Sequence, residues 1–510
     1  MIRRPPRSTQ SRSSAASDVY KRQMLAGLTF ACNLPGRQTP PLDFASQMTL
    51  AAELFPATPL AGLQTATAPG APPQFTATGD PNVYYAQAGD TLLALARRYR
   101  IQPNQIIPPF ALDAEALIPA GLPLRIPQPA GDFRYRAALL PDSEIIYSPA
   151  AADFDLAGYI RNAGGYLSRH QEEVDGETLD GVEIVRRVAL DTSINPRLLL
   201  AAIEYRRGWV TGGLQDAGDL AYPFGFGNPQ YAGLYKELLL VTRQLTLGYY
   251  GWRSGALLEA ELTDGSRVPI HPSLNAGTLA LLNLLAKLET PQTLPEAAYG
   301  VNGFTALYAR MFGDPWARAA AIEPLFPPDL RPPELELPFQ PGYTWSLTGG
   351  PHPAYGVGSA WGGVDFAPAS GKAGCQVSPQ WVTASVSGWI VRSERGQVLQ
   401  DLDGDGIEQS GWTLLYLHIA AQDRIPAGAY LETDERIGHP SCEGGVASGA
   451  HVHLARKYNG EWIAASPALP LVLSGWTVEA GEKPYQGRLI KDGRVVVPRS
   501  DGSAPSQLQR

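Results

Sequence analysis

Seven histidines occur in the 510 residues of this chain, and two of them, His451 and His453 in SGAHVHLARK, are separated by Val452 alone. A spacing of two is the strand period, so the spacing predicts both imidazoles on one face of a sheet. Imidazoles placed side by side share a metal, share a proton, or are idle. The same C-terminal third holds further groups of the right type. His418 closes GWTLLYLHIAA, where period two groups it with Trp412, Leu414 and Tyr416 on one strand face. Asp365 sits in the glycine-rich, otherwise apolar SAWGGVDFAP, and His352 lies upstream in TGGPHPAYG. A carboxylate in apolar surroundings costs several kcal/mol to desolvate unless it is paired or metal-bound. Imidazoles with a carboxylate are the donors of a catalytic zinc, which keeps three protein ligands and one open position. An imidazole left off the metal can take the proton of an attacking water.

The elements that must position these groups read as β from about residue 343 onward. Alternating runs such as QWVTASVSGWIVRSE and GWTLLYLHIAA are broken by Gly and Asp. GVDFAP, the YLH strand, RIPAGAYLETDERIG and SGAHVHLA follow one another in an order that resembles the lysostaphin-type zinc metallopeptidases. The resemblance implies a mostly antiparallel β peptidase domain over 343–477 that cuts the peptide cross-links of bacterial peptidoglycan. It implies Asp365 and His453 as zinc ligands and His418 and His451 as the catalytic pair. The family's first ligand is a histidine four residues before the aspartate, and Trp361 stands there. Tryptophan cannot ligate zinc, so His352 is expected to supply the missing imidazole. Without it the domain is an inactive peptidase fold that binds the wall or regulates another hydrolase.

Upstream, VYYAQAGDTLLALARRYRIQPNQ ends in a second strand, LPLRIP. Gly89, Asp90 and Thr91 form a turn and helix cap. Residues 82–128 resemble a LysM domain, which implies a β-α-α-β fold binding N-acetylglucosamine, with a groove built partly at Gly89, Asp90 and Thr91. Residues 155–325 read mostly as helices, with Pro196 placed at a helix start. INPRLLLAAIEYRRGW resembles the catalytic-helix region of lysozyme-like transglycosylases, but Arg206 occupies the glutamate position. Glu204, about 200° round the helix, is expected at solvent. The resemblance therefore implies a lysozyme-like helical domain without glycosidase chemistry. His170 and His271 are expected as surface or core residues and His439 as a loop residue.

The fold class is thus multidomain α+β: the LysM domain, the helical domain and the peptidase domain. Flanks at 33–81 and 129–150, a Pro-rich joint at 327–342 and a tail at 478–510 complete it. Pro (46) and Gly (53) abound, as stiff linkers between short domains require. A net charge of −8 without a long basic run past the first residues argues against nucleic acid as a partner. Residues 1–23 resemble a translated sequencing adapter. MLAGLTFAC after it resembles the end of a signal peptide with a lipobox, which implies an extracytoplasmic chain in the cell envelope, secreted or lipid-anchored at Cys32. Membrane contact is expected only through that anchor. Cys375 and Cys442 form a disulfide or remain buried thiols. Asp401, Asp403 and Asp405 with Gly406 match the start of a calcium loop or form an acidic hairpin tip. Trp412 stands at the twelfth position, where Glu408 is the substitute considered. The cofactors expected are zinc and, at that loop, calcium.

Overall fold

The computed structural model describes residues 82–127, 133, 135–369 and 374–510, all within one compact unit of the chain. The adapter-like stretch, Cys32 with its lipobox and the 33–81 linker lie outside the described residues. No helix among the described residues is long and apolar enough to cross a membrane.

The first module pairs β1 (Val83–Tyr85) antiparallel with β2 (Pro123–Arg125) across α1 (Leu92–Tyr99). Thr91 caps α1 by accepting from the Ala94 N–H. The second helix of a β-α-α-β unit is absent among the described residues. Its place is taken by the 3₁₀ turn Pro103–Gln105 and irregular chain rich in proline, which lacks the N–H a helix needs. The module is docked rather than tethered. Gln87 donates to the Ser273 carbonyl, Arg97 to that of Ser254, and the Arg98 guanidinium lies 5.3 Å over the Trp252 ring.

The helical region starts earlier than its periodicity suggested. Leu139, Leu140, Ile145 and Ile146, in the expected flexible flank, are buried in its core. Four of its helices matter below: α2 (Leu156–Ala163), α3 (Gly181–Thr192), α4 (Pro196–Arg207) and α5 (Leu234–Arg253). Asp180 and Glu183 form a capping box at the start of α3, and Pro196 opens α4 behind the Asn195 cap. Small hairpins, β3 (Gln171–Val174) with β4 (Glu177–Asp180) and β5 (Glu259–Glu261) with β6 (Arg267–Pro269), decorate the bundle.

The C-terminal region is a nine-stranded sheet whose centre runs β11 (Gln397–Asp401), β12 (Trp412–Leu417), β15 (Val452–Tyr458), β8 (Trp361–Pro368) and β7 (Thr344–Pro353). Alternation along these strands divides two cores. Val364, Phe366, Leu414, Tyr416, Val452 and Leu454 face one. Leu399, Leu415, Leu417 and Ala455 face the other, which is continuous with the helical core. The helices thus cover one face of the sheet. Buried ion pairs stitch this contact: Arg392 to Asp191 of α3 at 3.0 Å and to Glu408 at 2.8 Å.

Two expected boundary segments belong to the β region instead. Leu335, Leu337 and Phe339 of the Pro-rich joint are buried in the second core, with Phe339 stacked 4.9 Å from Trp345. The expected tail carries a small sheet that includes Trp476–Ala480, Gly487–Lys491 and Arg494–Val496, and its last strand, Gln507–Gln509, pairs with β7. The alternating apolar residues Val478, Leu489 and Val496 point into the core and explain why the tail folds.

Candidate metal centre and active site

β8 and β15 are antiparallel neighbours with Asp365 opposite His453. β7 brings His352 opposite Gly363 across a stretch of shifted register. The register therefore gathers His352, Asp365 and His453, whose ligand atoms all lie within 4.8 Å of one another. His453 Nδ1 is 3.0 Å from Asp365 Oδ1 and 3.0 Å from His352 Nε2, and His352 Nε2 is 3.4 Å from Asp365 Oδ1. Ligands 2.0–2.1 Å from a tetrahedral zinc stand about 3.3 Å apart, so these separations suit the ion. Glycine makes the approach feasible. A Cβ at Gly349 would lie 2.3 Å from the Asp365 carboxylate, and one at Gly363 would lie 2.2 Å from the His453 ring. Trp361, at the opposite end of β8, is four residues or about 13 Å along the strand from Asp365 and outside this group.

His418 and His451 complete the cluster. Their rings are 4.5 Å apart, and His451 Nε2 is 3.7 Å from Asp365 Oδ1. His451 and His453 do share one side of the sheet. His418 does not share the side of Leu414 and Tyr416. β12 ends at Leu417, and His418 takes a left-handed φ of 67° that breaks the alternation and swings its ring to His451.

Each of the four imidazoles has a backbone carbonyl against its outer nitrogen: His352 Nδ1 on Gly350 at 2.9 Å, His453 Nε2 on Ala354 at 2.8 Å, His418 Nδ1 on Glu443 at 2.8 Å, and His451 Nδ1 on Gly449 at 2.8 Å. A carbonyl only accepts, so each outer nitrogen carries its hydrogen, and in the neutral ring the inner nitrogen is a lone pair. Burial lowers the His352 pKa, and burial together with the neighbouring His451 lowers that of His418 to about 4, so both stay neutral near pH 7. Burial alone would raise the Asp365 carboxyl, but the adjacent His453 and the other surrounding imidazoles hold it low. Two lone pairs and a carboxylate oxygen facing one another need positive charge between them. A proton bridges two such atoms; a metal ion satisfies all three. The residues present fit a metal.

Tyr485 was not foreseen. Its ring stacks on His352 at 4.1 Å, and its backbone exchanges hydrogen bonds with Gly350 and Pro351. It lies in the segment expected as a tail. An exposed aromatic held at φ 69° near the site is the kind of costly conformation that functional sites retain. Val446 is fully exposed, and a Cβ at the preceding Gly445 would lie 3.5 Å from the His418 ring.

Cys375 and Cys442 form a disulfide with Cα atoms 5.3 Å apart. Asp401, Asp403 and Asp405 also group their carboxylates within 4.8 Å. Glu408 is not part of that group, because it is buried between Arg392 and Lys457. In the first module, the Asp90 carboxylate is buried against Arg98, the Tyr84 hydroxyl and the Gln87 N–H. Ala88, next to Gly89, gives its carbonyl to Arg253. In the helical region Glu204 turns back from solvent to accept from the Val210 and Thr211 N–H groups, closing the loop after α4. Arg206 bonds the Phe224 carbonyl. His170 and His439 are buried and His271 half-buried, each held by local partners.

Comparison with known proteins finds partial similarities. Residues 138–326 match the family model described as LasA, N-terminal domain. This match spans the whole region expected as helical, 155–325. Protease LasA of Pseudomonas aeruginosa is 26% identical over 360 residues, covering 66% of this chain and 80% of that protein. Beta-lytic metalloendopeptidase of Achromobacter lyticus is 26% identical over 159 residues, 30% of this chain and 39% of that protein. Among solved structures, the deep-sea M23 metalloprotease pseudoalterin covers 34% of this chain and 98% of its own at 23% identity with a TM-score of 0.28. The catalytic domain of lysostaphin from Staphylococcus simulans covers 24% and 89% at 23% identity with a TM-score of 0.18.

Proposed function

We propose that this chain is a zinc-dependent metalloendopeptidase that cleaves peptide cross-links of bacterial peptidoglycan outside the cytoplasm. The carrying observation is the convergence of His352 Nε2, His453 Nδ1 and Asp365 Oδ1, with the outer nitrogens of both histidines committed to carbonyls. These three are the ligands in this reading. Zinc at such a site supplies Lewis acidity, lowering the pKa of a water to about 7 and polarising a peptide carbonyl. The chain's own residues do the rest. His418 and His451 turn their inner Nε2 atoms toward the reacting centre. One accepts the proton of the attacking water and returns it to the leaving amine. While the first holds that proton its positive charge stabilises the developing oxyanion, and the other orients the water by accepting its second hydrogen. Tyr485 walls the site beside His352 and keeps bulk water from the ligand.

The alternative of an inactive peptidase fold rested on Trp361 in place of a histidine. His352, 3.0 Å from His453, offers an imidazole in its stead and supports the active reading. The extracytoplasmic placement is supported by the Cys375–Cys442 disulfide. The finer elements of the proposal are N-acetylglucosamine binding by the first module and a calcium ion at Asp401, Asp403 and Asp405. In the former, Gly89, Asp90 and Thr91 contribute backbone, since the Asp90 and Thr91 side chains are engaged within the module. The test is incubation of zinc-loaded full chain with cross-linked peptidoglycan, followed by analysis of the released fragments. New amino termini at the cross-links support the proposal; intact cross-links with full zinc occupancy refute it.

A further inference from the structure

His418 adopts a backbone conformation that a non-glycine residue enters only at a cost, and it owes its ring orientation to a single carbonyl, that of Glu443. Both features trace to Ser441. The Ser441 N–H donates to the His418 carbonyl at 2.7 Å, and its Oγ–H donates to the same carbonyl at 3.0 Å. The same Oγ accepts the Glu443 N–H at 3.0 Å, which turns the Glu443 carbonyl onto His418 Nδ1. The Ser441 carbonyl in turn accepts the His451 N–H at 3.3 Å. Ser441 is buried and touches both histidine backbones without reaching the reacting centre.

The next residue, Cys442, is disulfide-bonded to Cys375. Beside Cys375, Gly374 accepts the Ala450 N–H at 2.9 Å, next to His451. The disulfide therefore ties together the two backbone segments that flank the catalytic pair. We propose that Ser441, braced by the Cys375–Cys442 disulfide, is the positioning residue that fixes His418 in its left-handed conformation and its Nδ1–H tautomer. The proposal rests on the endopeptidase reading, in which His418 acts with its Nε2 free. An imidazole released from Glu443 can carry its hydrogen on either nitrogen and can rotate off the line to substrate. Misplacement by about 1 Å costs up to about 100-fold in rate.

The test compares zinc-loaded wild-type chain with Ser441→Ala and Ser441→Thr on a soluble cross-linked muropeptide dimer. Ser441→Ala is expected to keep full zinc and the wild-type KM while losing about 10- to 100-fold in kcat. Its His418 Nδ1–H proton resonance, assigned by its absence in His418→Gln, should vanish by exchange with water. Ser441→Thr, which keeps the hydroxyl, should recover most of the kcat. Wild-type kcat in Ser441→Ala overturns the proposal, as does a variant that changes only thermal stability or KM. If Ser441→Ala fails to fold, the paired Cys375→Ser and Cys442→Ser variant decides: lowered kcat with zinc retained supports the brace, and unchanged kcat overturns it. If wild type leaves the dimer intact at full zinc occupancy, the endopeptidase reading fails on its own. The resonance then tests the positioning claim, its loss in Ser441→Ala supporting it and its survival refuting it.

Discussion

The histidine–aspartate cluster and the acidic loop at 401–405 both hold three potential ligands within 4.8 Å, yet they differ in what already satisfies those ligands. In the loop, Asp401 accepts from the Asp403 and Gly406 N–H groups, and Asp405 from the Ile407 N–H and the Ser410 hydroxyl. Asp401 and Asp405 are thus engaged by the loop's own donors, so the calcium ion proposed there adds to these contacts rather than replacing them. In the cluster, the hydrogen bonds are made on the far side of each ring, and the inner atoms face only one another. Proximity is equal in the two places; what separates them is ligand type, two imidazoles and a carboxylate against three carboxylates, and the direction in which donors and acceptors point.

The largest effect that can break this comparison is loss of the shared carboxylate. Asp365→Asn is expected to abolish cleavage and bound zinc together, read by metal analysis and fragment release, whereas Asp403→Asn should leave both at wild-type levels. Next in size, His418→Ala and His451→Ala should each lower kcat by about 10²- to 10⁴-fold while zinc stays bound. A variant that lost zinc instead would move that histidine into the ligand set. Trp361→Ala should keep zinc affinity within about two-fold, since the ring lies outside the ligand group and a change in a ligand's direct supports costs 10- to 100-fold. A ten-fold loss there would show that Trp361 supports the site.

The smallest effect concerns protons at the loop. Burial and the adjacent Asp401 raise the Asp403 carboxyl from 3.8 to about 7. A raised folded-state pKa means that the folded state holds the proton more tightly. The corresponding stability is full below pH 4 and is lost as pH rises to 7. Because the Asp403 carboxyl is partly open to solvent, screening reduces the effect to a shift of about a degree or two in Tm. Asp403→Asn should flatten Tm between pH 4 and 7 in the absence of divalent cations. An unchanged slope would place the titration elsewhere.

Much of the site was legible because strand alternation is a local rule. His451, Val452 and His453 obey it, and Asp365 announced itself as a carboxylate in an apolar run. His418 was found by type but placed on the wrong face, since a left-handed residue after a strand leaves no period to read. Glu204 was expected at solvent because helix periodicity says nothing of a side chain folding back over the helix end. Tyr485 was missed because its approach to His352 depends on a hairpin far along the chain. The boundaries failed for a related reason: proline at 327–342 signals an extended chain, not whether Leu335, Leu337 and Phe339 are buried within it. The docking of the first module and the helices on the sheet rests on contacts between distant segments, such as Arg392 with Asp191, which no local pattern carries.

The central claim is that His352, and not Trp361, joins Asp365 and His453 around the metal. Anomalous diffraction at the zinc edge from crystals of the zinc-loaded full chain tests it most directly. The account predicts one strong peak about 2.0–2.1 Å from His352 Nε2 and His453 Nδ1 and about 2.0–2.2 Å from an Asp365 oxygen. A zinc peak bound elsewhere, or one that leaves His352 beyond ligand distance, would contradict it.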